Sequence, residues 1–165
     1  MHNVWFSLGS NEGDRMDMLS QAMEMLADIF EITAESPVYE TEPWGITVQP
    51  KFLNMCAAVR SELTAGEVLE KINEIEAMLG RLRKTKWGQR TIDIDIIFYD
   101  DEIISSERLT IPHEYMHERA FVLVPLNDIA ADKIHPVKKE TVNELLKKLP
   151  KEKMTCLGFL KKQMN

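Results

Sequence analysis

Two helical stripes are set into a chain that otherwise reads as strands, and their positions leave few folds open. Leu19, Met23, Leu26 and Phe30 recur at helical spacing, which predicts a first helix over roughly residues 14 to 29. Val68, Ile72, Ile75 and Leu79 form a second stripe. Thr64-Ala65-Gly66-Glu67 ahead of it has the form of a capping box, and Gly80 is expected to stop it. Strand-like runs lie around them at Asn3 to Leu8, Ile32 to Tyr39, Phe52 to Leu63 and Thr91 to Tyr99. Pro37 marks the second run as an edge or a bulge. Residues 42 to 51, with two prolines and a glycine, read as a loop. A turn at Asp100-Asp101-Glu102 leads to a short strand at Ile103-Ile104, and helical pieces are expected near 117 to 131 and 141 to 149. The order β-α-β-β-α-β is the split pattern of a ferredoxin-like α+β domain, an antiparallel sheet flanked by helices.

Without repeats, low-complexity tracts or Gly/Ser linkers, residues 1–165 are expected to form one domain. A net charge of −7 repels a phosphate backbone, so no nucleic-acid partner is expected. No apolar stretch approaches the ~18 residues that span a bilayer, and no basic-then-apolar leader opens the chain, so no membrane partner is expected. Cys56 and Cys156 lie far apart without metal-ligand spacing, which suits a reducing, cytoplasmic compartment.

The sharpest chemical signal is Asp93-Ile94-Asp95. Alternate residues of a strand share a face, so the two carboxylates point the same way with Cα atoms about 6.5 Å apart. Such a pair suits hard cations with phosphate co-ligands. On this alternation Ile92, Ile94, Ile96 and Phe98 face the core, while Ile97 and Tyr99 share the face of the acids. Directly before the pair, Arg81 to Arg90 carries five basic residues and no acid, a concentration that can neutralise a polyphosphate. Glu76 falls within the apolar stripe of the second helix and needs a partner there, an arginine, a ligand or a structural ion pair. Trp44, Phe52, Trp87 and Phe121 sit at loops or element ends, where two of them could sandwich a flat heterocycle or simply pack. His113 follows a proline among charged residues and could serve a phosphate. Neither a P-loop nor the protein-kinase motifs occur.

Taken together, these runs resemble the bacterial 6-hydroxymethyl-7,8-dihydropterin pyrophosphokinases of folate biosynthesis, over roughly residues 4 to 130. The strongest piece runs from Trp87 to Ile97 and resembles the family signature W-G-P-R-x-x-D-[LIV]-D-[LIVM]-[LIVM]. Leu8 to Asp14, Tyr39-Glu40-Thr41, Phe52-Leu53-Asn54, Gly80 to Arg83 and Arg108 to His113 follow in family order. The resemblance implies an enzyme that moves the terminal diphosphate of ATP onto the hydroxymethyl group of the pterin, with Asp93 and Asp95 holding two magnesium ions. It implies that Phe52 and Phe121 stack on the pterin, with Asn54, the Thr41 backbone and Trp44 completing the pocket. Arg81 and Arg90 would act on the phosphates, and Arg83 and Trp87 would belong to a mobile loop. Glu76, Arg108, Thr110, His113 and Arg119 would surround the nucleotide. Gln89 stands where proline is usual, Asn73 where glutamine often occurs, and Glu114 where some members have tyrosine or proline. A soluble monomer is expected.

Paired strand aspartates on a ferredoxin-like sheet also serve two-metal nucleotidyl transfer and cyclase chemistry, and a non-catalytic nucleotide-binding module would need the same residues.

Overall fold

The computed structural model describes residues 1–11, 13–41, 51–81 and 92–161, with the side chain of Arg81 outside that set. Five strands form the core of the sheet: β1 (His2–Ser10), β2 (Glu31–Glu35), β3 (Val38–Thr41), β4 (Phe52–Ser61) and β5 (Asp93–Tyr99). Helix α1 (Arg15–Ile29) joins β1 to β2, and α2 (Ala65–Arg81) joins β4 to β5. All pairings are antiparallel, in the order β5-β1-β4-β3, with β2 also on β4. This is the expected ferredoxin-like arrangement.

Local chemistry sets the helix ends. Gly13 takes φ 64°, and Asp14 then caps α1 by accepting the Asp17 N–H at 3.0 Å. The capping box of α2 forms as expected, Thr64 N–H to Glu67 at 3.0 Å and Glu67 N–H to Thr64 at 3.2 Å. Gly80 does not stop α2, which runs on to Arg81; a glycine inside a packed helix costs only about 1 kcal/mol. The run from Ile32 to Tyr39 breaks at Ser36-Pro37 into β2 and β3. There the N–H of the buried Ser36 donates to Cys56 O at 2.9 Å, and its hydroxyl oxygen accepts the Cys56 N–H at 2.8 Å.

Both faces of the sheet are covered, unequally. On the first face, Val4, Phe6 and Leu8 of β1 and Leu53, Met55, Ala57 and Val59 of β4 meet the α1 and α2 stripes, and the expected stripe residues are all buried. On the second face lie α3 (Ala120–Ala130), preceded by a 3-10 turn at Met116–Glu118, and α4 (Val142–Lys147), capped by Thr141 and Glu144. Val122, Leu123, Leu126, Val142 and Leu145 pack there against Cys56, Ile97 and Phe98. A hairpin of β6 (Ile104–Ser105) and β7 (Thr110–Ile111), and an edge strand β8 (Met154–Gly158) on β3, complete the fold. The short strand expected at Ile103-Ile104 is one residue later, and β8 lies outside the expected pattern. No described helix is long and apolar enough to cross a membrane.

The alternation expected along β5 fails beyond Ile96. Phe6 pairs with Ile96 but Trp5 pairs with Phe98, so Ile97 is an extra residue, a β-bulge. Ile97 and Phe98 both join the second face, and Tyr99 turns to the first, where its hydroxyl donates to Leu63 O at 2.6 Å. Phe98 and Tyr99 therefore lie on the faces opposite to those expected.

His135 packs edge-on to Phe98 and is only 4% exposed. Its Nδ1 accepts the Val137 and Lys138 N–H groups at 3.2 and 3.0 Å. Burial first, then the neighbouring His117 and Lys138, push its pKa down to about 4. The unfolded chain, with histidine near 6.5, then binds the proton more readily than the folded one. The contribution of His135 to stability should be complete above about pH 6.5 and drain away as pH falls toward 4. The urea midpoint should decline over that window, and the His135 ring should titrate near 4 by NMR; a midpoint near 6.5 would refute the account.

Candidate active site

Strand β1 lies between β4 and β5, so its alternation is imposed on its neighbours. Val4, Phe6 and Leu8 take the first face, which leaves Trp5, Ser7 and Gly9 on the second. Ser7 pairs with Asp95 on one side and Cys56 on the other; Gly9 pairs with Asp93 and Asn54. The two aspartates thus share a face, as their spacing requires. They stand beside small residues that leave the sheet open to a ligand.

The floor is tightly fitted at one point. A Cβ on Gly9 would lie 2.8 Å from Asn54 Oδ1, so only glycine lets the amide rest there. Asn54, 4% exposed, donates through Nδ2 to Thr41 Oγ1 at 3.0 Å. Above this floor is a cavity of about 670 Å³, lined by Phe52 and Thr41 from the sheet, by Arg119 and Phe121 at the start of α3, and by Asp93 and Asp95. A second cavity of about 240 Å³ opens beyond Asp95, lined by Arg108, Thr110, His113 and Glu114. The sequence-predicted residues therefore fall into two groups, with Thr41, Phe52, Asn54, Phe121 and Arg119 in the larger space and Arg108, Thr110 and His113 in the smaller.

The bulge in β5 helps build the second cavity. The His113 N–H donates to Ile97 O at 3.0 Å, which ties the loop after β7 to the strand that carries the acids. His113 Nδ1 accepts the Tyr115 N–H at 3.3 Å, leaving Nε2 for the proton. Burial holds the His113 pKa below its usual value and nearby Arg119 adds to this, while Asp95 and Glu114 oppose it. Arg119 lies over the rings of Tyr115 and Phe121, 5.5 and 5.7 Å from their centroids.

Glu76 accepts the Ile94 N–H at 3.1 Å, the peptide group between the two aspartates. One partner that its place on the helix demanded is thus the acid-bearing strand itself, and Glu76 is not among the described residues that line either cavity. Cys56 is no nucleophile: burial pushes its thiol pKa far up, and Sγ donates to Val122 O at 3.6 Å.

Asp93 and Asp95 offer hard oxygen donors into one cavity, and no cluster of three or more His, Cys, Asp or Glu that could hold a metal occurs among the described residues. That donor set fits magnesium, which takes one or two carboxylates and fills its shell with phosphate and water, and does not fit a closed protein cage.

Trp44, Arg83, Trp87, Gln89, Arg90 and the side chain of Arg81 lie outside the described residues. Ser7, Gly9, Tyr115, Glu118 and Glu152 line the larger cavity without having been singled out from the sequence. Ser7 and Gly9 carried a signal, since small residues alternate there with Val4, Phe6 and Leu8. Glu152 carried none, because its place depends on β8 joining the sheet.

A family model for 7,8-dihydro-6-hydroxymethylpterin-pyrophosphokinase matches residues 5–131. The chain is 47% identical over 151 residues to the 2-amino-4-hydroxy-6-hydroxymethyldihydropteridine pyrophosphokinase of Methylorubrum extorquens, covering 90% of this chain and 94% of that one. It is 43% identical over 132 residues to the protein of the same name from Bacillus subtilis, covering 78% and 79%. Among solved structures, wild-type Plasmodium falciparum HPPK-DHPS superposes with a TM-score of 0.73 at 18% identity, a likeness of fold. That match covers 89% of this chain and spans 44% of the longer one.

Gly9→Ala tests the floor. The added methyl must displace the Asn54 amide and break its bond to Thr41, so stability should fall by about 1–3 kcal/mol. Urea unfolding measures this, and an unchanged midpoint would show that the amide moves freely.

Proposed function

The chain belongs to the 7,8-dihydro-6-hydroxymethylpterin-pyrophosphokinase family, and from that premise we propose that it transfers the terminal diphosphate of ATP to 6-hydroxymethyl-7,8-dihydropterin, giving AMP and the pterin diphosphate. The observation that carries this reading is the meeting of two unequal cavities at Asp95. The larger, lined by the rings of Phe52 and Phe121 with an amide in its floor, suits a flat, polar-edged heterocycle. The smaller, with Arg108, Thr110 and His113, suits the nucleotide. A group passing from one to the other must pass the carboxylates.

Phosphoryl-type transfer requires positioning and charge neutralisation more than covalent help. Phe52 and Phe121 hold the pterin by its faces, and Asn54 reads its polar edge with help from the Thr41 backbone. Asp93 and Asp95 would hold magnesium, for which we propose two ions. Bound there, magnesium would neutralise phosphate oxygens and favour ionisation of the attacking hydroxyl. Glu76 holds the peptide between the two acids and so helps keep their strand in place. Arg119, Arg108, Thr110 and His113 surround the nucleotide, with His113 kept neutral by burial and available as a donor through Nε2. By the family resemblance, Arg81 and Arg90 would neutralise the phosphates, Arg83 and Trp87 would belong to a loop over them, and Trp44 would join the pterin pocket; these side chains lie outside the described set. We propose a single-domain cytoplasmic monomer that binds neither nucleic acid nor membrane; the net charge of −7 disfavours a phosphate-backbone partner, and no described helix is long and apolar enough to cross a membrane.

Asp93→Ala and Asp95→Ala should each lower turnover about a hundredfold or more at saturating magnesium, with the far-UV circular dichroism unchanged. Near-normal turnover in either would remove the metal assignment. Nucleotide chromatography with phosphorus NMR of the pterin product should show AMP and pterin diphosphate in equal amounts, only when the pterin is present. ADP would indicate a simple kinase, free pyrophosphate a nucleotidyl transferase, and nucleotide binding without turnover a regulatory module.

A further inference from the structure

Asp95 and Tyr115 both line the two cavities. Asp95 does so because β5 carries it there; Tyr115 reaches the same junction from a loop. The backbone around it is held, since its N–H is bonded to His113 Nδ1 and the next residue, Met116, is fully buried. Tyr115 is nevertheless 47% exposed, so packing alone does not account for an aromatic residue here. What the ring does touch is Arg119, whose guanidinium carbon lies 5.5 Å from its centroid and 5.7 Å from that of Phe121.

A guanidinium within about 6 Å of an aromatic face is attracted by the negative quadrupole of the ring. A guanidinium held in this way through its carbon still carries N–H donors that can serve phosphate oxygens. We propose that Tyr115, at the junction of the two cavities, is a positioning residue whose ring holds Arg119 on the larger-cavity side of that junction, directed at the phosphates of the nucleotide. The proposal rests on the diphosphate-transfer reading and assigns the work to the ring and not to the hydroxyl. It predicts a difference between replacements that keep the ring and those that remove it.

The test compares Tyr115→Leu and Tyr115→Phe, alone and in an Arg119→Ala background, with Tyr115→Gln as a second ring deletion suited to an exposed position. Affinity for a non-hydrolysable ATP analogue with magnesium is read by calorimetry, kcat and both KM values by steady-state kinetics, and folding by melting temperature. Removing the ring should weaken nucleotide binding by between about threefold and thirtyfold. It should also lower kcat, with the KM for pterin and the melting temperature unchanged, and Tyr115→Phe should restore all of these. With Arg119→Ala already in place, removing the ring should cost nothing more. Wild-type affinity in Tyr115→Leu and Tyr115→Gln, an equal loss in Tyr115→Phe, or a full additional loss beside Arg119→Ala would each overturn the proposal. If wild-type protein binds the nucleotide but forms no AMP with the pterin, the diphosphate-transfer reading fails while the binding comparison still decides the role of Tyr115.

Discussion

The second face of the sheet has to be dry at one end and open at the other, and the change is made by the side chains of three adjacent strands. Trp5, Cys56, Ile97 and Phe98 give α3 and α4 an apolar surface to cover. A few residues further along the same strands, Ser7, Gly9, Asn54, Asp93 and Asp95 give those helices nothing to pack against. Burying them bare would cost several kcal/mol for each unpaired charge, so the helices end their contact there and a cavity remains. The site is the part of the sheet whose side chains refuse a dry partner.

That division explains why the first face is so conventional. Its strands and two helices form a continuous apolar cluster that borders the site only at the smaller cavity, through Leu69, Ile94 and Ile96, and its patterning is correspondingly plain. Stability concentrated there leaves the second face free to carry polar groups. Even so, those groups are tied down: Asn54 to Thr41, His113 to Ile97 and Tyr115, the Asp93–Asp95 peptide to Glu76, and Tyr39 of β3 to Asp128 of α3. A binding surface held by hydrogen bonds between elements needs little rearrangement to receive its ligands.

Much of this was legible in the sequence because it depends on period. The helical stripes, the shared face of Asp93 and Asp95, and the capping box at Thr64 follow from spacing alone. The orientations of Phe98 and Tyr99 were misread because a bulge leaves no mark in the apolar pattern of Ile96-Ile97-Phe98-Tyr99; four apolar residues in a row fit either phase. Gly80 looked like a helix stop because its intrinsic preference is visible and the packing that overrides it is not. Tyr115 and Glu152 reach the cavity through contacts between segments far apart in the chain, for which no local pattern exists.

The extra residue in β5 is a phase shift in the strand. Before it, odd-numbered residues look toward the cavity and even-numbered ones toward α1 and α2; after it, Phe98 and Tyr99 have exchanged those duties. The two ends of β5 are therefore out of register with each other by design of length, not of composition. Evolution can exchange one aliphatic side chain for another at Ile96 or Ile97 and keep both ends in place. Losing or gaining a single residue between Asp95 and Tyr99 would turn one end over, exposing either the acids to the core or the core to the cavity. In this strand the spacing constrains the fold more strictly than the identity of its aliphatic side chains.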